Sequence, residues 1–254
     1  MSDFTEDDFL GGRLRVRQPA RGYRSGIDPV LLAASVPAKS GDHVLELGTG
    51  GGVALLCLMS RISGLSAVGV ERNSELARLA SENSSANGLA CRVIETDLRQ
   101  LPADLRGRSF DHVLANPPYF DRTRGSAATQ GTREDGRGEE TSLLDWVDTG
   151  VRRLKPGGKL TMIQRVDRVP ELLSCLDGRV GDVMLLPISA RVGRDAKLAV
   201  LQAKKGAKGS FRLLPPFVMH SGGTHLSDGD DYTPEASGIL RDGAPLDLSG
   251  LMNR

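Results

Sequence analysis

The chain has 254 residues, 39% hydrophobic and 26% charged, an ordinary globular composition with enough length for one large domain and a sizeable core. A formal net charge of +1 excludes binding to nucleic acid through overall charge, so phosphate contacts would need local patches. The three cysteines are far apart, the start is acidic rather than signal-like, and no apolar run is long enough for a bilayer. We therefore expect a cytoplasmic protein without a disulfide, a metal site or a membrane anchor.

From about residue 40 onwards, strand-like and helix-like segments alternate. The predicted strands are 43–47, 66–71, 91–95, 110–115, 159–163, 180–186 and 197–203. The predicted helices are 53–62, 73–87, 141–154 and 169–176. Alternation at this spacing predicts an α/β fold with a mostly parallel sheet covered on both faces. Such sheets bind ligands at the carboxyl ends of their strands.

Three segments fall outside the alternation. Residues 1–40 form a leader, residues 205–254 a carboxyl-terminal extension, and residues 121–140 a loop rich in glycine, arginine and glutamate. The loop follows a predicted strand directly, so it is either a flexible loop that contacts substrate or covers the site, or a disordered insertion. The sequence favours neither interpretation. We expect residues 41–204 to form the core domain.

Glycines crowd the turn after the first predicted strand. Residues 46–52 read Glu-Leu-Gly-Thr-Gly-Gly-Gly, and glycines there allow a ligand to approach the main chain closely. The dinucleotide pattern fails, because Val53 stands where its last glycine belongs. An acid two residues before the first glycine would repel a pyrophosphate but suits a cationic amino-acid group. The predicted binding residues of this turn are Glu46, Gly48, Gly50 and Gly52.

Two further acids end the next predicted strands. Glu71 closes the second strand, where a carboxylate can accept both hydroxyls of a ribose. Asp97 follows the third strand and is placed to meet the amine of a nucleobase. Taken alone, Glu71 is more simply explained as a solvated strand end. Together with the glycine turn, the two acids describe a nucleoside with an amino-acid tail, and we expect S-adenosylmethionine as cofactor.

The fourth predicted strand stops at Asn116-Pro117-Pro118-Tyr119. Proline has no N–H for the ladder and holds the residue before it extended, so Asn116 sits on a stiff strand end with an aromatic ring after it. Such a site can accept hydrogen bonds from a planar amine and stack a ring above it. An ordinary strand-ending turn is the alternative, since both residue types are common in turns.

Over roughly residues 40–204 these elements resemble class I S-adenosylmethionine-dependent methyltransferases. The resemblance implies a Rossmann-like α/β fold with a seven-stranded, mostly parallel sheet flanked by helices. Within that superfamily the Asn-Pro-Pro-Tyr element looks like the signature of enzymes that methylate planar nitrogen. Its acceptors there are the exocyclic amines of adenine or guanine, or a glutamine amide.

A narrower resemblance lies outside the shared core. The leader segment 22–33, the element at Asn116 and the tail segments 214–220 and 232–236 look like those of the bacterial valine-tRNA (adenine-37-N6) methyltransferase family. This resemblance covers nearly the whole chain. It implies that Arg24 and Asp28 of the leader contribute to cofactor binding, and that the substrate is an adenine in RNA, most simply in a tRNA anticodon loop.

The expected reaction is a direct displacement in which the amine attacks the sulfonium methyl in line. Asn116 and the carbonyl of Pro117 would accept the two N–H groups of the amine, and Tyr119 would stack on the base. These three are the predicted catalytic residues, and Asn116 is also among the residues expected to bind the cofactor. An unpaired loop is the easiest substrate, because the base must leave its stack.

The basic residues that are candidates for contacts with RNA phosphates fall into two stretches. The first holds Arg13, Arg15, Arg17, Arg21 and Arg24, and the second Arg191, Arg194, Lys197, Lys204, Lys205, Lys208 and Arg212. For any single member an ordinary solvated face is an equally good explanation. His112, His220 and His225 have no metal-ligand spacing, and we interpret them as structural or surface groups.

Three other functions remain open. A glutamine methyltransferase of a release factor shares Asn-Pro-Pro-Tyr, but we expect no room before Glu46 for its usual helical domain. A methyltransferase of ribosomal RNA or DNA is chemically closer and harder to exclude. A non-catalytic RNA-binding module would carry degraded cofactor residues, which this chain does not. The sequence leaves the oligomeric state open.

Overall fold

The structure is a computed structural model that describes residues 4–22, 24–119, 141–222 and 231–253. The expectations for the loop 121–140 and for His225 concern residues outside these ranges. Within them, no helix is long and apolar enough to cross a membrane.

The elements follow the predicted alternation. The strands are β1 (Phe4–Phe9), β2 (Leu14–Pro19), β3 (His43–Leu47), β4 (Ser66–Glu71), β5 (Arg92–Glu95), β6 (Phe110–Ala115), β7 (Leu154–Arg165), β8 (Val180–Ser189), β9 (Ala196–Lys205), β10 (Arg212–Leu213) and β11 (Phe217–Val218). The α-helices are α1 (Asp28–Ser35), α2 (Val53–Arg61), α3 (Ser74–Ala86), α4 (Ala103–Arg106), α5 (Leu143–Arg153), α6 (Val169–Ser174) and α7 (Pro234–Asp242).

The expected mostly parallel sheet is confirmed. Its order is β10-β8-β9-β7-β6-β3-β4-β5, and only β9 runs antiparallel to its neighbours among the seven strands that the sequence predicts. The two-residue strands β10 and β11 extend the sheet to nine by pairing with β8. They come from the carboxyl-terminal extension, and the domain boundaries at residues 40 and 204 stay a prediction.

Strand β3 is the point where the strand order reverses. It pairs with β4 on one side and with β6 on the other, and the chain leaves it through the glycine turn into α2. A crevice therefore opens beyond the carboxyl ends of β3 and β6, where sheets of this kind bind ligands. The register places Leu47 beside Ala115, so the glycine turn and the Asn116 element start next to each other.

Helices cover both faces of the sheet. The hydrophobic cluster on one face includes α1, α2 and α7, and the cluster on the other includes α5 and α6. Helix α5 begins with a capping box in which Ser142 and Asp145 bond each other's backbone N–H, which fixes its first turn. Both faces of β3 and β6 are thus buried, and the strand ends that carry the site are held rigidly.

The leader folds as a hairpin followed by a helix. Strand β2 buries Leu14 and Val16, and the arginines that alternate with them, Arg15 and Arg17, are exposed. Its outer edge faces α3, where the side-chain amides of Asn83 and Asn87 bond the backbone N–H and C=O of Arg17 and Arg15, at 2.8–3.0 Å. Asn83 also donates to the carbonyl of Gly51, which ties the leader to the glycine turn.

Candidate functional site

The glycine turn needs glycine at several positions. Gly48, Gly50 and Gly52 have φ values of +63°, +54° and +91°, in the left-handed region that other residues adopt at a cost. A Cβ on Gly50 would meet nothing within 4 Å, so the space above that residue is open. Gly52 directly precedes α2 and leaves the first N–H groups of the helix without a side-chain cap. This turn can bring a ligand against its main chain.

Glu46 lies under the turn and is almost fully buried. Its carboxyl accepts a hydrogen bond from Thr49 Oγ1 at 2.5 Å. Burial, which disfavours the charged form, raises the pKa of Glu46 from 4.5 to about 8, and the nearby Glu71 adds to the rise. The protonation state of Glu46 therefore depends on the charged groups near its buried carboxyl.

This raised pKa makes stability depend on pH. Between pH 4.5 and 8 the folded protein holds a proton on Glu46 that the unfolded chain has lost, so raising the pH favours unfolding. As the pH rises from about 5 to about 8, we expect Glu46 to lower the free energy of unfolding by about 1.4 kcal/mol per pH unit. Above about pH 8, Glu46 should add no further pH dependence. Urea unfolding of the ligand-free wild type and Glu46→Gln from pH 5 to 8 measures this. Parallel pH profiles for the two proteins would contradict it.

Glu71 ends β4, which lies beside β3, and Asp97 follows β5, the next strand of the sheet. The buried Glu71 accepts the backbone N–H of Gly50 and of Asn73, both at 2.9 Å, and so joins the end of β4 to the glycine turn. Asp97 instead pairs with Arg99, which donates to both carboxylate oxygens, and these bonds lower the pKa of Asp97. A base amine that reached Asp97 would have to share this carboxylate with the guanidinium.

Asn116 leaves its acceptor free at the end of β6. Its Oδ1 is buried and has no hydrogen-bond partner among the described residues. A buried polar atom without a partner costs free energy, so such atoms in native proteins call for an explanation. One residue earlier in the chain, Ala115 of β6 pairs with Leu47 of β3. The element that carries this acceptor therefore starts beside Gly48 and the glycine turn.

The rest of the element is held by neighbours that the sequence did not indicate. The carbonyl of Pro117 accepts a long hydrogen bond of 3.4 Å from Nε2 of the buried Gln164, at the end of β7. The Tyr119 hydroxyl donates to Asp28 at the start of α1. Asp28 thus lies at the site next to a predicted catalytic residue. Its role towards the cofactor stays a prediction.

Arg24 has hydrogen-bond partners within the leader. Its guanidinium donates to both oxygens of Asp7 in β1, at 2.6 and 2.7 Å, and also to the Thr5 hydroxyl and the Pro19 carbonyl. These bonds hold the hairpin to the segment after it. A direct contact between Arg24 and the cofactor would have to replace some of them, and it too stays a prediction.

Trp146 is a site residue that sequence reasoning missed. It is the chain's one tryptophan and projects from α5, with 6% of its surface exposed. The indole ring lies very close to Gly48. A Cβ atom added to Gly48 would be 2.3 Å from Cη2 of the Trp146 ring. Its Nε1–H is buried and, like Asn116 Oδ1, has no partner in the described ranges. The helical period of α5 shows an apolar face, but only the fold shows which glycine that face contacts.

The basic residues divide differently from the two stretches in the sequence. Most leader arginines bond to the protein itself: Arg13 to the Asp242 carbonyl, Arg15 near Glu6 and Asp8, Arg17 to Glu82, and Arg24 to Asp7. In the second stretch, Arg191, Arg194 and Lys197 lie at the edge that carries Asn116, because β9 runs antiparallel. Lys204, Lys205, Lys208 and Arg212 lie at the opposite edge.

The histidines have structural partners. His112 Nε2 lies 3.2 Å from Asp42 Oδ2 inside the protein, where burial lowers the pKa of the imidazole. His220 Nδ1 bonds Asp231 at 2.6 Å and stacks on Tyr232. Across the described ranges, no cluster of three or more His, Cys, Asp or Glu side chains is arranged to hold a metal ion.

The chemistry of the crevice fits a nucleoside with an amino-acid tail. Open space lies above Gly50, an acid ends β4, and a second acid lies buried beneath the turn. A cationic group near Glu46 would favour its ionised form. The strand before Asn116 pairs with the strand before Gly48, so the Asn116 element and the glycine turn leave neighbouring strand ends.

Comparison with known proteins agrees with this reading. The methyltransferase small domain family matches residues 26–184. A Tolumonas auensis protein named tRNA1(Val) (adenine(37)-N6)-methyltransferase is 29% identical over 171 residues, covering 65% of this chain and 69% of the relative. A Porphyromonas gingivalis protein of the same name is 30% identical over 175 residues, covering 65% and 68%.

Among solved structures, protein Atu636 from Agrobacterium tumefaciens, described as a predicted O-methyltransferase, superposes with a TM-score of 0.70. It is 25% identical, and the match covers 87% of this chain and 98% of that one. The class I methyltransferase fold expected from the sequence is therefore confirmed over most of the chain.

Proposed function

Because this chain belongs to the methyltransferase small domain family, with S-adenosylmethionine as its methyl donor, we propose that its acceptor is the exocyclic N6 amine of an adenine in tRNA. Two observations support the acceptor. The buried Oδ1 of Asn116 has no partner in the described residues, and two relatives that are 29% and 30% identical to this chain are named tRNA1(Val) (adenine(37)-N6)-methyltransferases. The buried Oδ1 of Asn116 carries the proposal, because it is a feature of this chain, whereas the names describe its relatives.

The cofactor supplies an electrophilic methyl group on a sulfonium, and the protein's task is to hold and activate the amine. The lone pair of an exocyclic amine is delocalised into its ring. Asn116 Oδ1 accepts one N–H, and the Pro117 carbonyl accepts the other through the lone pair that Gln164 leaves free. As the nitrogen pyramidalises and gains positive charge, both acceptors bind it more strongly than in the ground state.

Position matters as much as charge in this reaction. Proline at 117 and 118 fixes the backbone after Asn116, and the buried Gln164 holds the Pro117 carbonyl. Arg168 donates to the Pro118 carbonyl at 3.3 Å and so anchors the next residue. The acceptors are therefore oriented before the substrate arrives, which lowers the entropic part of the barrier.

We expect the ring of Tyr119, rather than its hydroxyl, to carry its role towards the base. Tyr119→Phe loses the bond to Asp28 but keeps the stacking surface, whereas Tyr119→Ala loses both. Stacking is worth about 1–3 kcal/mol per base, so kcat/KM of Tyr119→Ala should fall about 5- to 150-fold, and that of Tyr119→Phe less than about fivefold. Steady-state kinetics on tRNA measures both variants. Equal losses in the two would assign the role to the Asp28 bond instead.

A labelling experiment tests the proposed acceptor. The protein is incubated with methyl-labelled S-adenosylmethionine and total tRNA, and the RNA is digested to nucleosides. We expect the label in N6-methyladenosine. Parallel incubations with ribosomal RNA, DNA and a release factor give the competing acceptors the same chance. Label in one of these and none in tRNA would overturn the proposal.

We also propose a cytoplasmic location, because a tRNA acceptor would have to be met there. Arg194 and Lys197, at the same sheet edge as Asn116, are positioned to contact the phosphates of a bound anticodon loop.

A further inference from the structure

A cavity of about 140 Å³ lies at the opposite end of the sheet from the glycine turn. Its lining comes from β7, β8, β9 and β10 and from the last segment of the chain: Lys159, Asp182, Met184, Gln202, Ala203, Lys204, Arg212 and Ser249. Lys159 pairs with His112, four residues before Asn116, so roughly 13 Å of strand separates the cavity from the catalytic element. The proposed methyl transfer makes no use of it.

Two lysines lie side by side in the lining of this cavity. Lys159 and Lys204 are direct partners in the antiparallel pair of β7 and β9. Like charges in this arrangement are destabilising. Lys159 donates to Gln202 Oε1 at 3.2 Å, and among the described residues neither lysine has a carboxylate within salt-bridge distance. Partial burial, and then the charge of Lys204, lower the pKa of Lys159.

Arg212 adds a third cation and an unsatisfied donor. It stands on the short strand β10, beside Met184. Its Nε is buried and has no hydrogen-bond partner in the described part of the chain. A buried N–H without an acceptor costs more than one left in water, and a guanidinium matches the oxygens of a phosphate especially well. The cavity thus offers donors that lack acceptors.

The acids nearby do not neutralise these cations. Asp182 is the one acid in the lining; it sits in a β-bulge of β8 with a φ of +49°, and its carboxylate packs against Gly209. Asp182 and Asp247 both act on Lys159 from a distance, in the direction that favours its charge. Three cations against one lining acid leave an excess of positive charge around an open space.

We propose that this cavity binds a phosphate group, held by Lys159, Lys204 and Arg212. Its volume is below the roughly 300–1,000 Å³ of pockets that enclose whole metabolites, so a single tetrahedral oxyanion fits better than a nucleotide. The phosphate would pair with the two opposed ammonium groups and accept the Nε–H of Arg212. Its source is either free phosphate or a phosphodiester of bound RNA.

The test compares phosphate with chloride at equal ionic strength, using purified full-length protein without S-adenosylmethionine. We expect phosphate at a large excess over its Kd to raise the Tm by several degrees and to shift the Arg212 Nε–H resonance in a ¹H–¹⁵N spectrum. Lys204→Gln should lose the rise in Tm. Lys208→Gln, an exposed neighbour outside the lining, should keep it.

Removing Lys204 should also relieve the like-charge pair, so Lys204→Gln is expected to be at least as stable as the wild type in chloride. A resonance that does not move, or an equal rise in Tm for Lys204→Gln and Lys208→Gln, would overturn the proposal. These measurements need no methyl transfer, so they stand or fall separately from the proposed function.

A second arm identifies the source of the phosphate. Affinity for tRNA is measured against salt for Lys204→Gln and Lys208→Gln. If the cavity holds a phosphodiester of RNA, Lys204→Gln should flatten the slope of log K against log salt by about 0.7–0.9, while Lys208→Gln should leave it unchanged. Equal slopes for both variants, together with a positive first test, assign the cavity to free phosphate.

Discussion

Replacing Asn116 with alanine is expected to lower kcat for methyl transfer on the order of 10²–10³-fold while leaving the affinity for S-adenosylhomocysteine nearly unchanged. The variant loses the one buried acceptor at the end of β6 that has no partner in the described residues. Because that acceptor binds the amine most strongly in the transition state, its loss appears in kcat. Single-turnover rates and calorimetric titration with S-adenosylhomocysteine measure the two effects separately.

Asn116→Asp is the matched control for this variant. It keeps an acceptor of the same size in the same place and should retain more activity than Asn116→Ala. Since Oδ1 makes no bond in the described residues, the folded protein should lose little stability in Asn116→Ala. A large fall in cofactor affinity with kcat preserved would show that Asn116 serves the cofactor rather than the amine.

Replacing Gly48 with alanine should destabilise the ligand-free protein by about 2–5 kcal/mol. The left-handed backbone accounts for about 1–2 kcal/mol of this, and overpacking for about 1–3 kcal/mol. The new methyl group would be 2.3 Å from the Trp146 ring, so the ring or the turn must move. Affinity for S-adenosylhomocysteine should fall as well, because the glycine turn is the proposed binding site. Urea unfolding followed by circular dichroism gives the free energy.

Gly50→Ala separates these two costs. Its φ of +54° is similar, but a Cβ there meets nothing within 4 Å, so only the backbone cost applies. Adding Trp146→Leu to Gly48→Ala should recover part of the lost stability, as a double-mutant cycle with a coupling free energy of about 1 kcal/mol or more would show. Equal destabilisation by Gly48→Ala and Gly50→Ala would contradict the predicted overpacking, because it would mean that the Trp146 ring moves aside without a loss of stability.

The sequence predicts the core elements because each carries a local signal. Apolar runs identify β3, β4 and β6, and Asn73 caps α3 with its own side chain. The leader hairpin was not predicted, because half of the residues of β1 are acidic and β2 is held by side chains of α3, far along the chain. Strands β10 and β11 have two residues each, too few for any periodic pattern.

The site was predictable as a set of residues but not as a set of contacts. The glycine turn, Glu71 and Asn116 follow from strand ends that share one edge of the sheet. The partners of these residues come from distant parts of the chain: Trp146 contacts Gly48, Gln164 the Pro117 carbonyl, and Asp28 the Tyr119 hydroxyl. Such pairings depend on tertiary packing, which no local pattern encodes.

The amides of Asn83 and Asn87 have a consequence for self-association. A two-stranded hairpin normally presents an open edge whose N–H and C=O groups can recruit a strand from another molecule. Here the edge of β2 has its N–H and C=O groups at Arg15 and Arg17 already bonded to two side chains of α3. Those amides occupy the place of a third strand, so a second copy cannot extend the sheet along this stretch.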